Sequence, residues 1–322
     1  MKTYETAQLR NIALVGQAAA GKTTFSESIH FVAGTINRRG TVEEHSTVSD
    51  FNDIEHERHH SVIATPMFAE YKNTKINFID TPGYNDYCGE VVASMAVVDT
   101  AVIFLNAQHG IEVGAENAAE EAAKKGKPVV FAINKLDLDN LDFDSLTQEL
   151  KDAYGSSVTV LQFPVKTGNG ITSVVDILSK SLLVFDEDGK MTKADIPAEA
   201  VDKAEELRNE FVESIAESDE DLMNKYFDEG DLTDEDIKAG MKKGIAGRMM
   251  FPVFCLNSKT NLGTKSFLDF VVDYLPSPAD MPGLLNVEDE VVAFDPSAHS
   301  ALLAFKMISE ARLGDLTYFK VG

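Results

Sequence analysis

The sequence predicts an α/β fold built on a doubly wound, mostly parallel sheet, and three observations predict it. Short apolar runs alternate with helical stretches through most of the first 280 residues, the pattern of strand–helix–strand crossovers. Most of these runs are near-continuous in Val, Ile, Leu, Phe and Ala, as strands buried on both faces require. Three of them end directly in a motif of chemical interest, after Val15, Ile79 and Ile133. Ligands of open α/β sheets bind at that carboxyl edge.

The first run is Asn11-Ile-Ala-Leu-Val15, followed by Gly16 to Thr23, GQAAAGKT. This is the G-x-x-x-x-G-K-[ST] phosphate loop with a strand before it and an amphipathic segment after it. Backbone N–H groups of Gly16, Gln17, Ala18, Ala19, Ala20 and Gly21 are expected to wrap the α- and β-phosphates, with Lys22 reaching the β- and γ-phosphates. Thr23, with Thr24 beside it, would give its hydroxyl to Mg²⁺. Runs at 62–69 and 75–79 read as a hairpin around Lys72-Asn-Thr-Lys75, one antiparallel edge on an otherwise parallel sheet. Asp80-Thr-Pro-Gly83 follows. Asp80 would hold Mg²⁺ through water, and Gly83 has no Cβ to keep its N–H from the γ-phosphate.

Runs at 101–105 and 128–133 lead to Asn134-Lys-Leu-Asp137. The Asp137 carboxylate can accept from N1–H and the N2 amino group of guanine, donors that adenine lacks. Asn134 would brace the loop and the Lys135 stem would cover the base. After a run at 158–163, the interval to Met250 is too long for one crossover. It holds strand-like runs at 171–178 and 181–185, then three helical stretches, with Pro197 in the first turn of one and Ser218 as the N-cap of another. The sheet resumes at 251–256, and Asn257-Ser258-Lys259 follows where a last guanine-contacting loop belongs. The expected organisation is therefore a GTP-binding domain over 1–163 and 251–280, an inserted α+β subdomain over 164–250, and a linker with the start of a β-barrel domain over 281–322. Two strand-like runs, 301–305 and 316–319, do not make a stable β domain, so the chain reads as an N-terminal fragment.

Composition excludes several classes. The chain has 322 residues, 29 basic and 53 acidic, for a net charge of −24, which argues against broad electrostatic binding of nucleic acid. Residues 186–240 alone hold 20 acidic and 6 basic residues. Such a run is either a solvated face or a docking surface for a protein partner. No run approaches the ~20 apolar residues of a membrane span, and no charged-then-apolar N-terminal segment suggests export. Two cysteines, Cys88 and Cys255, make neither a disulfide framework nor a metal site, and a reducing cytoplasm fits. His56, His59 and His60 cluster in the sequence, without cysteine or carboxylate at ligand spacing beside them.

The sequence resembles bacterial elongation factor G over essentially its whole length. The matching blocks are Asn11-Ile, Gly21-Lys-Thr-Thr24, Asp50-Phe51 with Glu57-Arg58, Ile79-Asp-Thr-Pro-Gly83 and Asn134-Lys-Leu-Asp137. More specific are Asp221-Leu-Met-Asn-Lys-Tyr226 and Leu232-Thr-Asp-Glu-Asp236 within the insertion, Asp273-Tyr-Leu-Pro-Ser-Pro278, and Ala304-Phe-Lys306. The resemblance implies a P-loop NTPase fold and a ribosome-stimulated GTPase that binds GTP or GDP with Mg²⁺ and promotes translocation. It also implies an acidic insertion that meets a ribosomal stalk protein. A GTP-gated ribosome-binding module, and a ribosomal protection or recycling factor, are the alternative readings; a monomer is expected in each.

The chain departs from the family at informative places. Ala19 stands where the family has an Asp that helps hold a monovalent cation. Tyr84 stands where the family has the His that positions the attacking water. Arg58-His59-His60-Ser61 replaces Arg-Gly-[Ile/Met]-Thr in the first switch. Ser61 keeps a hydroxyl for Mg²⁺, and His59 replaces a permissive glycine. The resemblance with these departures implies GTP binding with weakened hydrolysis.

Overall fold

The computed structural model describes residues 2–186, 188–285, 291–293, 299–310 and 314–322. In chain order the strands are β1 (Leu9–Gly16), β2 (Thr65–Tyr71), β3 (Thr74–Asp80), β4 (Thr100–Asn106), β5 (Val129–Asn134), β6 (Val158–Val160), β7 (Gln162–Phe163), β8 (Ser173–Asp176), β9 (Ser181–Phe185), β10 (Met191–Ala194), β11 (Phe251–Cys255), β12 (Leu284–Leu285), β13 (Val291–Val292), β14 (Leu302–Glu310) and β15 (Gly314–Val321). The helices are α1 (Lys22–Val32), α2 (Asp53–Arg58), α3 (Cys88–Val97), α4 (Val113–Lys124), α5 (Phe143–Tyr154), α6 (Val201–Ala216), α7 (Glu220–Glu229), α8 (Asp234–Ala246) and α9 (Thr264–Tyr274).

Seven strands form the main sheet in the order β2-β3-β1-β4-β5-β11-β6. Every pairing is parallel except β2 with β3. The expected hairpin is this edge, and its turn residues Lys72 and Asn73 both have positive φ, the geometry that matches strand twist in two-residue turns. Strand β2 starts at Thr65 rather than at residue 62, because Val62 and Ile63 give their N–H groups to Glu55 instead of to a neighbouring strand. Strands β4 and β5 are buried along their whole length, as their unbroken apolar sequence requires. Helices α1 and α9 pack together, and α3 packs on α4. Phe25 of α1 meets Phe104 and Phe267 at 5.1 and 5.3 Å between ring centroids, and Phe254 meets Phe267 at 5.5 Å. These tilted and edge-on contacts suit the aromatic quadrupole.

The apolar run 158–163 is not one strand. It breaks at Leu161, whose N–H donates to Val253 of β11 while its carbonyl accepts from Ile177. The chain thereby leaves the main sheet and enters a second, antiparallel sheet of order β10-β9-β8-β7. Strand β10, Met-Thr-Lys-Ala, lacks an apolar pattern and is missed by sequence reading. Helices α6, α7 and α8 follow. Asp219, not Ser218, caps α7: its carboxylate accepts from the Asp221 N–H, while Ser218 is buried and its hydroxyl donates to Ile215. Pro197 lies just ahead of a short 3₁₀ turn that leads into α6 rather than inside the first helical turn. Beyond α9, β12 pairs with β13, and β14 with β15 as an antiparallel hairpin with an irregularity at Phe305. Lys306 of that hairpin reaches Glu90 of α3 at 3.0 Å.

Candidate functional site

Strand β1 lies between β3 and β4 at the point where the strand order reverses, the place where open α/β sheets bind ligands. It ends at Gly16, φ 121°, where a Cβ would stand 2.5 Å from the Phe104 carbonyl. The loop closes at Gly21, φ 96°, and α1 starts at Lys22. A helix start with no side-chain cap, as here, leaves N–H groups that suit an anion. Lys22 folds back over the loop, its Nζ donating to the carbonyls of Gly16 at 2.9 Å and Gln17 at 2.8 Å. Burial lowers its pKa to about 8, against the attraction of Asp80. Gln17 in turn accepts from the Gly114 N–H at 2.8 Å, tying the loop to α4.

Beside Lys22 lies a set of oxygen donors. Thr23 Oγ1 donates to Asp80 Oδ2 at 2.7 Å and lies 3.0 Å from Ser61 Oγ. Ser49 donates to the same Asp80 oxygen at 3.0 Å. Asp80 Oδ1 is buried and has no hydrogen-bond partner. Burial pushes the Asp80 carboxyl up to about 6, although Thr23, Lys22 and Ser49 favour its charge. Three hydroxyls, of Thr23, Ser61 and Ser49, and a carboxylate with an unpartnered buried oxygen fit a hard divalent cation.

The third loop begins at the end of β5. The Asn134 side chain joins two segments: its Nδ2 donates to Ala20 of the phosphate loop at 2.8 Å, and its Oδ1 accepts from Ser258 N–H at 2.9 Å and Ser258 Oγ at 3.0 Å. Asn134 thus ties the phosphate loop to the Asn257-Ser258-Lys259 segment that follows β11. Lys135 has φ 66°, and Asp137 is half-buried. Arg39 donates to the carbonyls of Ser258 and Lys259, and Ser28 to that of Ser258.

The segment between α1 and β2 is organised by two buried carboxylates. Glu27 accepts from the N–H groups of Gly40 and Val48, and Glu55 from those of Val62 and Ile63. His59 ends α2 at φ 56°, a left-handed conformation that costs a non-glycine residue roughly 1 kcal/mol. Ala19 is held likewise, at φ 59°. A cavity of about 150 Å³ opens between the loops, lined among others by Lys22, Thr23, Asp50, Ser61, Gly83 and Tyr84. Gly83 abuts the phosphate loop, and a Cβ there would come 2.4 Å from the Ala18 nitrogen. Tyr84 is 46% exposed, its ring 4.6 Å from that of His60. Ser49, Glu27, Arg39 and Ser28 escape sequence reading because no motif spacing marks them. Sequence spacing also groups His56 with His59 and His60, whereas the fold brings His45 and the Asp50 carboxylate to His56.

These loops on a doubly wound sheet define a phosphate-loop nucleotide-binding protein. The chain belongs to the elongation factor Tu GTP binding domain family, which matches residues 7–277. It is thus a guanine-nucleotide-binding domain of the translation-factor type. The crystal structure of a protein from Thermus thermophilus is similar, with a TM-score of 0.88 at 25% identity. The match covers 98% of this chain and 45% of that one, so this chain spans less than half the length of that protein. No helix among the described residues is long and apolar enough to cross a membrane.

Proposed function

We propose that this chain is the GTP-binding part of a cytoplasmic translation factor of the elongation factor G type, acting on the ribosome as a monomer with hydrolysis slower than is usual for that family. The observation that carries nucleotide binding is the Asn134 side chain, which fixes the phosphate loop and the Ser258 loop to one another at the sheet edge. In this reading the backbone from Gly16 to Gly21 and Lys22 hold the phosphates. Thr23, Ser61 and Asp80 hold Mg²⁺, which would neutralise phosphate charge. Asp137 selects guanine, flanked by Lys135 and Lys259. The acidic segment 164–250 meets a stalk protein.

GTP and GDP are expected to bind far more tightly than ATP and ADP. Asp137→Asn is expected to weaken guanine and admit xanthine, since the amide donates where the carboxylate accepts. Equal affinity of the unmodified protein for ATP and GTP overturns the reading.

Slow hydrolysis, or a GTP-gated module that hardly hydrolyses, is favoured by two side chains. Tyr84 offers a hydroxyl at the end of a ring packed on His60, and Ala19 offers no oxygen for a cation. Loss of one water-orienting or charge-stabilising group costs ~10²–10³ in rate at such sites. Single-turnover hydrolysis on ribosomes is expected to rise with Tyr84→His, and further when Ala19→Asp is added. Turnover of the unmodified protein as fast as that of ordinary elongation factor G overturns this reading and means that Tyr84 does the work of the histidine.

A further inference from the structure

We propose that His45, Asp50 and His56 form a metal site, separate from the oxygen set around Asp80, that takes a borderline divalent transition metal of the zinc class and clamps the segment leading to Ser61. Each of the three residues offers one ligand atom, and these atoms lie within 4.8 Å of one another. Ligands on a tetrahedral zinc, with bonds of ~2.0–2.1 Å, stand roughly 3.4 Å apart. Closure therefore asks for shifts of roughly an ångström, including a turn of the His45 and His56 rings, whose centroids lie 4.6 Å apart.

The hydrogen bonding points to a missing ligand. Asp50 is 2% exposed, and its Oδ1 is buried with no partner; His45 Nδ1 is buried with no partner as well. Buried polar atoms are ordinarily satisfied, and here two orphans belong to one cluster. His56 Nε2 lies 2.8 Å from the Asp50 carbonyl. That contact requires Nε2–H and leaves the Nδ1 lone pair free, the arrangement by which an outer carbonyl orients a ligating imidazole. The neighbouring carboxylate of Glu55 is occupied by Val62, Ile63 and Asn52. The ring of His59 stacks on His45, with centroids 5.2 Å apart. Two imidazoles and one carboxylate suit zinc, cobalt or ferrous iron, not the all-oxygen preference of magnesium or calcium.

The three donors come from the loop before α2 and from α2 itself, so a bound ion would pin residues 45–56 as one unit. Asp50 also lines the cavity beside Lys22 and Ser61, which couples the clamp to the first switch.

The test uses the full chain without a histidine tag and without nucleotide, so its outcome does not depend on the GTP reading. Co²⁺ alone is titrated and followed by its visible ligand-field bands, then displaced by Zn²⁺. One equivalent of Co²⁺ with intense bands is expected. Affinity is expected to fall roughly tenfold or more in each of His45→Gln, Asp50→Asn and His56→Gln, and to persist in His109→Gln, a change at an exposed histidine. Zn²⁺ is expected to raise the melting temperature of the unmodified protein and of His109→Gln only. Bands no stronger than those of aqueous Co²⁺, or equal affinity in His56→Gln with its fold verified by circular dichroism, overturns the site.

Discussion

Lys22 keeps its charge at a cost. Its ordinary pKa of 10.5 falls to about 8 because burial strips water from the ammonium, and Asp80 is the charged group that opposes the shift. The unfolded chain therefore holds more protons than the folded one between these values, and the stability of the nucleotide-free protein rises with pH across that window. Phosphate oxygens reverse the effect by favouring the ammonium. Asp80, at about 6, is already ionised there and contributes no proton. GDP binding at pH 9 is thus expected to take up close to one proton, read from calorimetry in two buffers of different ionisation heat. Lys22→Arg should remove most of the uptake, because guanidinium does not titrate in this range, and leave the smaller part taken by guanine N1 as it donates to Asp137. Lys22, Thr23, Asp80 and Asn134 were legible because motif spacing names them. Ser49, Arg39 and His45 were not. They act through contacts made by an irregular loop whose path is set by the buried Glu27 of α1, and no periodicity announces such a path.

At the level of elements, strand–helix alternation located the main sheet well, since buried strands leave unbroken apolar runs. Two features stayed hidden. Leu161 is as apolar as its neighbours, and only its split hydrogen bonding moves the chain from one sheet to another. Ser218 and Asp219 are both good capping residues, and only the backbone chooses between them. The helices after that break meet at a close contact: a Cβ on Gly240 of α8 would stand 2.5 Å from Ile215 of α6 and 2.8 Å from Leu222 of α7. Gly240→Ala is expected to destabilise the protein by about 1–3 kcal/mol through overpacking. Nucleotide affinity should stay within about twofold, since changes at distant sites act independently. Urea unfolding and a GDP titration on the same samples check both halves, and an unchanged midpoint would show that the helices spread without cost.

Across the whole molecule the acidic charge gathers on α6, α7 and the start of α8, and Phe227 stands 77% exposed among those carboxylates. An apolar ring within a single-sign field suits a basic protein partner with one apolar anchor. The proposed binding to a stalk protein is expected to weaken as salt rises, because exposed charges are screened. Phe227→Ala should weaken it about tenfold or more, as loss of an aromatic anchor does, with GTP affinity unchanged. Binding indifferent to both would mark the charge as solvation alone. Removing 164–250 outright is a poorer test, because α6 packs on β6 and α8 on α9, so the excision would strip cover from the main sheet.

One amide carries a consequence for exchange. Among the described residues, Asn134 is the side chain that grips both the carbonyl of Ala20 and the Ser258 loop. A nucleotide held at its phosphates and at its base is thus held by two grips on a common latch. Any displacement of the phosphate loop from Asn134 would therefore also release the Ser258 loop, so the two ends of such a site would loosen together.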